Sequence, residues 1–165
     1  MHLPILLRRS LRCYTRSSIQ TLLAVLLVVS TTFMALAVPT APAIAAGRST
    51  APENARVYII EPSDGQTVPE EFIVKFGLSG MGVAPAGIDK EGTGHHHLLI
   101  DLDADPDFAE PLPATANIKH FGGGQTETVL TLPPGKHSLQ LLLGNYSHVP
   151  HDRPVLSEKI EVTVE

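Results

Sequence analysis

The chain has 165 residues, with 12 Lys/Arg against 17 Asp/Glu, eight histidines, no tryptophan and one cysteine. A net charge of −5 gives it no electrostatic reason to bind nucleic acid or an anionic membrane surface. The lone Cys13 precedes the first apolar run, so the chain beyond that run has no thiol for a disulfide, an iron–sulfur cluster or a nucleophile.

Arg8, Arg9, Arg12 and Arg16 stand ahead of an apolar run over residues 22–38, and Ala43-Ile44-Ala45 follows. A positive start, an apolar centre and small residues at an A-x-A site make a secretory signal, so residues 1–45 are expected to be a signal peptide. Left uncleaved, the same run approaches the length of a membrane anchor. In either case the arginines stay cytoplasmic and the remainder is exported, periplasmic or extracellular. That remainder is one domain by size, read here as a linker over 46–55 and a folded region over 56–165. It keeps eight Lys/Arg and all 17 acids, a net charge of about −9.

No segment after residue 50 has helical periodicity over ten residues. Period-two alternation recurs instead, cut by Gly and Pro. The first strand is expected over 56–61, ending in the turn Pro62-Ser63-Asp64-Gly65. The second spans 71–78, with Phe72, Val74, Phe76 and Leu78 on one face. A glycine-rich loop leads to a third over 94–102, and the acidic, proline-bearing stretch 103–116 reads as surface loop. Further strands are expected over 117–121, 125–132, 136–144 and 155–164, with turns at Gly122-Gly123-Gly124 and Pro133-Pro134-Gly135. The expected fold class is all-β, a seven-stranded antiparallel immunoglobulin-like sandwich following an N-terminal signal or anchor helix.

Seven of the eight histidines fall between residues 95 and 151. In the third strand His95, His97, Leu99 and Asp101 share one face, and His96, Leu98, Ile100 and Leu102 share the other. The second face is more apolar and is expected to point inward, which makes His96 a core histidine. His95 and His97 are then either a solvated surface pair or two ligands of one metal ion. Two ligands do not make a site, since structural zinc takes four and catalytic zinc three protein ligands. His120, just before the triple glycine, reaches them if its strand returns beside the third. His148 and His151 lie in the loop before the last strand, and His148 is taken as a fourth ligand. Gln125 and Glu127 are candidates to orient an imidazole through its second nitrogen. His137 shares parity with Leu139, Leu141 and Leu143 and is read as structural, its ring bonding the backbone of the preceding turn.

The string Gly94-His95-His96-His97-Leu98-Leu99-Ile100-Asp101 is followed by His120-Phe121-Gly122-Gly123-Gly124-Gln125-Thr126-Glu127. Leu132-Pro133-Pro134-Gly135-Lys136-His137 and His148-x-Pro150-His151 complete the pattern. Together they resemble the bacterial domain-of-unknown-function family 4399 over roughly residues 57–164, a likeness that implies no activity. In layout alone, the turn after the first strand, the Leu-Pro-x-Gly hairpin and the loop histidine are similar to periplasmic copper-resistance proteins of the CopC type. That likeness implies copper held by histidines near one end of a sandwich, with His148 as the loop ligand. The N-terminal ligand of those proteins has no counterpart here.

Three functions follow as expectations. The first is an exported module that binds Cu(II) or Zn(II) through His95, His97, His120 and His148, imidazoles without sulfur suiting those ions. The second is a structural module that binds an envelope protein partner, its histidines forming a buried polar cluster without metal. The third, an enzyme, lacks support: G-x-S-x-G is absent, as is a phosphate-binding Gly-rich loop ending in Lys-Ser/Thr. Asp101 and Glu127 are only two of many surface acids that a catalytic zinc could enlist.

Overall fold

The structure, a computed structural model, describes residues 47–165; the expected signal or anchor segment, 1–45, lies outside the described residues. Among the described residues nine strands are formed: β1 (Arg56–Glu61), β2 (Gln66–Val68), β3 (Glu71–Ser79), β4 (Gly82–Val83), β5 (Thr93–Ile100), β6 (Ile118–His120), β7 (Glu127–Thr131), β8 (Gly135–Gly144) and β9 (Ile160–Val164). Seven overlap the expected strands, and β2 and β4 are additions too short to show a period. Among the described residues no helix is long and apolar enough to cross a membrane.

The strands form two sheets. One has the order β1-β3-β7; the other runs β2-β9-β8-β5-β4, with β6 also on β5. The expected all-antiparallel pairing needs correction at two places, because β2 runs parallel to β9 and β4 parallel to β5. The first follows from the turn after β1. Gly65, at φ +75°, donates to the Glu161 carbonyl, and Asp64 Oδ1 accepts from the Glu161 amide, which hands the chain from one sheet to the other. A side chain larger than glycine rarely tolerates that φ.

Alternation decides what lies between the sheets. Phe72, Val74 and Phe76 from β3 meet Leu98 and Ile100 from β5, Leu139, Leu141 and Leu143 from β8, and Val162 and Val164 from β9. Each such side chain contributes roughly 1.5–3 kcal/mol on burial, which lets aliphatic packing hold the fold without a disulfide. Residues 47–55 also contribute, since Ala51 and Ala55 belong to this core.

A second, smaller apolar cluster lies on the opposite face of the larger sheet. Leu99, Ile118 and Leu142 are covered there by Leu112 from the 103–116 stretch, with Leu102 and Phe108 alongside. That stretch is mostly exposed, yet Leu112 turns it into a cover. Leu102 was expected on the inner face with Leu98 and Ile100. It lands with Leu99 instead, because Asp101 adopts φ +51° at the end of β5 and breaks the alternation.

The last strand begins at Ile160, five residues later than expected. Leu156 makes only an isolated bridge to Leu142. The Ser157 hydroxyl accepts the Leu141 amide at 2.9 Å, taking the place of a ladder carbonyl and interrupting regular pairing. The 117–121 and 125–132 strands are likewise trimmed at their starts, where Asn117 Nδ2 donates to the Ile100 carbonyl and Gln125 Oε1 accepts from the Gly123 amide.

Candidate metal centre

β5 places His95 and His97 on the outer face of the larger sheet, where solvent would be expected. Both are nonetheless fully buried. The segment after β8 folds over them with the His148 ring, and the Leu112 amide from the 103–116 stretch donates to the His148 carbonyl at 3.0 Å. A solvated surface pair is therefore excluded.

Antiparallel pairing of β6 on β5 sets His120 directly opposite His97. His148 arrives from the turn after β8, whose last residue Gly144 pairs with His95. One ring nitrogen from each of His95, His97, His120 and His148 lies within 4.8 Å of the others. Three separate chain segments thus deliver four imidazoles to one point. Ring centroids are 4.8 Å apart for His95–His97, 4.9 Å for His95–His120 and 4.5 Å for His120–His148. His95 Nε2 and His148 Nδ1 are 3.2 Å apart, within hydrogen-bond distance. Two nitrogens on a tetrahedral ion, each at about 2.1 Å, sit about 3.4 Å from one another, so this pair already has ligand spacing.

Glycines make room for the rings. A Cβ on Gly144 would lie 2.7 Å from Cε1 of His97, and one on Gly122 would overlap the His120 ring. The glycine after Phe121 therefore serves close approach as well as the turn, which Gly124 takes at φ +80°.

Burial sets the protonation state. Desolvation, followed by the neighbouring imidazoles His120 and His148, pushes His95 down to about 4. Desolvation, then His95 and its neighbours, pushes His97 down to about 3. His120 is lowered as well, by desolvation and then by His148, although it faces solvent. The two buried rings are neutral at pH 7, with lone pairs available to a ligand. Neither nitrogen of His97 has a hydrogen-bond partner, nor has Nδ1 of His95. A buried polar group left unpaired costs about 1–3 kcal/mol.

The other three clustered histidines stay outside this set. His96 points to the opposite face, into the core, 5.2 Å from the Phe76 ring, and both of its nitrogens lack partners. His137 donates from Nδ1 to Asp101 Oδ2 at 2.7 Å and from Nε2 to the Pro133 carbonyl at 2.9 Å, as the charged ring can do at both nitrogens at once. His151 is buried, with Nδ1 2.8 Å from the Ser49 hydroxyl. Gln125 is not an orienting partner, because its side chain is turned back onto the Gly123 amide. Glu127 sits opposite Lys75 in the other sheet, and Asp101 is committed to His137 and the Ser138 amide.

Two parts of this site lie beyond sequence reasoning: the Leu112 amide on His148 and Asn145. The only signal for Asn145 is a Gly-Asn pair at a strand end, a common turn former. Its side-chain oxygen accepts from three donors.

A family model described as Domain of unknown function (DUF4399) matches residues 74–165, which contain all four converging histidines. The chain belongs to that family. No curated protein matches the sequence. Among solved structures, the chain is similar at 19% identity to the endo-beta-1,4-mannanase from Thermotoga petrophila, with a TM-score of 0.39. The likeness covers 67% of this chain but only 20% of that one.

Proposed function

We propose that this family member is an exported immunoglobulin-like sandwich that binds one divalent transition-metal ion, Cu(II) or Zn(II), through His95, His97, His120 and His148. The observation that carries the reading is the meeting of four imidazoles from β5, β6 and the turn after β8 within 4.8 Å. Closing that set on an ion moves ring nitrogens by about an ångström and fills a tetrahedron of nitrogen ligands. Imidazole donors without thiolate suit Cu(II) and Zn(II).

The unpartnered nitrogens of His97, set among three further imidazoles where those of His96 face the apolar core, favour this reading over a metal-free polar cluster that serves only to hold a partner-binding surface. A polar cluster kept for rigidity is expected to satisfy its own members, whereas a lone pair kept free for an ion has no partner until the ion arrives. Four protein ligands also favour holding or passing on an ion over Lewis-acid catalysis, which keeps a coordination position open. The signal over 1–45 and a location outside the cytoplasm belong to the same proposal, supported by the arginine, apolar and A-x-A pattern.

Thermal unfolding of untagged protein, with and without ion, tests the proposal. An ion at a hundredfold its dissociation constant adds about 2.7 kcal/mol of stability. Wild type is expected to gain several degrees in Cu(II) or Zn(II), and a His95→Ala/His97→Ala variant to gain none. Wild type with an unchanged midpoint in micromolar amounts of either ion overturns it.

A further inference from the structure

His148 is the one member of the four that no strand holds. It sits in the left-handed region at φ +69°, which a residue with a Cβ seldom adopts unless the surroundings impose it. Besides the Leu112 amide on the His148 carbonyl, the backbone hydrogen bonds around this residue come from Asn145. Asn145 is buried to 1% exposure, and its Oδ1 accepts from the Ser147 amide at 2.9 Å, the Ser147 hydroxyl at 2.9 Å and the Val149 amide at 3.1 Å. Those donors flank His148 on both sides. The Asn145 backbone closes the same turn, its carbonyl accepting the His148 amide at 3.0 Å and its amide donating to the Val149 carbonyl at 2.9 Å. Its Nδ2 donates to the Gly47 carbonyl at 3.1 Å, which ties the turn to the segment entering the domain.

We propose that Asn145 is the positioning residue of the metal centre: it holds the turn in the one conformation that aims the His148 ring at His95 and His120. This rests on the metal-binding reading above and deepens it. The Asn145 side chain makes its hydrogen bonds to Gly47, Ser147 and Val149 and not to any of the four rings, so it is no ligand. Its effect passes through His148 alone. Alanine at this position leaves the Ser147 and Val149 amides without their shared acceptor, and the turn relaxes toward negative φ at His148. The ion then keeps His95, His97 and His120 and loses the fourth imidazole.

The test is a Cu(II) titration of the untagged protein against a competing chelator, with nitrogen ligands counted by electron paramagnetic resonance. Wild type, Asn145→Ala, Asn145→Asp, His148→Ala and the Asn145→Ala/His148→Ala double variant are compared. Asn145→Ala is expected to weaken Cu(II) binding about tenfold, at the low end of what supporting residues of metal ligands usually cost. Its spectrum is expected to change from four nitrogens to three. In the His148→Ala background the same change is expected to shift affinity less than about twofold, because nothing is left to position. Asn145→Asp keeps the acceptor but gives up the Nδ2 bond to Gly47, and is expected to bind more tightly than Asn145→Ala, which also guards against a misfolded alanine variant. Equal losses in both backgrounds, or wild-type affinity in a folded Asn145→Ala, overturn the role of Asn145 while leaving the site intact. Wild type that takes up no Cu(II) overturns the site itself and this role with it.

Discussion

His97 and His137 lie in neighbouring strands of one sheet and have opposite surroundings. Both nitrogens of His137 are occupied, by Asp101 and by the Pro133 carbonyl, and the Asp101 hydrogen bond holds its pKa above the usual imidazole value. Neither nitrogen of His97 has a partner, and desolvation drives its pKa down to about 3. Two identical side chains thus serve as a peg between a strand end and a hairpin in one place and as an idle donor in the other. The difference lies in what surrounds them: His137 has a carboxylate at hand, whereas His97 has three further imidazoles and no acid. A peg is complete as it stands. An idle donor next to three others is complete only with an ion.

The comparison breaks most readily at His97. Replacing it with alanine is expected to weaken Cu(II) or Zn(II) binding by more than about a hundredfold, beyond the 10–100-fold typical of supporting residues. His137→Ala is expected to leave that affinity within about twofold, as calorimetric titration of both variants would show. Comparable losses in the two variants would erase the distinction.

Acid gives the next largest effect. The unfolded chain takes protons on its histidines near pH 6.5, while folded His95 and His97 refuse them until about 4 and about 3. The unfolded state therefore binds more protons between those limits, so metal-free stability falls as pH drops below 6.5. The expected loss is about 3 kcal/mol between pH 6.5 and pH 5, measured by urea unfolding without metal. Stability that is flat across that range would contradict the burial of the two rings.

Gly144→Ala is expected to cost about 1–3 kcal/mol, because its methyl would press on the His97 ring. Thermal melts read the stability, and the same variant should bind metal less tightly than wild type. The smallest effect belongs to His137. Its raised pKa means that its contribution is full below the unfolded value near 6.5 and is lost as pH rises through the folded value. His137→Ala is expected to remove that decline above pH 6.5 and to lower stability by about 1 kcal/mol, the worth of its hydrogen bonds.

Period-two alternation made most of this fold legible. It assigns Phe72, Val74 and Phe76 to one face of β3, separates His95 and His97 from His96, and puts Leu139, Leu141 and Leu143 together. It fails where a side chain replaces a backbone partner, as Ser157 does for Leu141, and where one residue turns left-handed, as Asp101 does before Leu102. Strands as short as β2 and β4 carry no period at all. The meeting of His95, His97, His120 and His148 was an expectation from residue type and parity, conditional on β6 returning beside β5, and the pairing of His97 with His120 supplies that condition. The burial of the pair was not legible. It depends on the turn that Asn145 holds, which brings the His148 ring against theirs and is tied by the Leu112 amide to a stretch whose acids and prolines mark it as loop.

The central claim reduces to a count. Untagged protein exposed to Cu(II) or Zn(II), desalted and analysed for bound metal is expected to retain one ion per chain, with His95→Ala/His97→Ala retaining none. Wild-type protein that emerges from desalting with no metal, or a double variant that keeps as much as wild type, would contradict it.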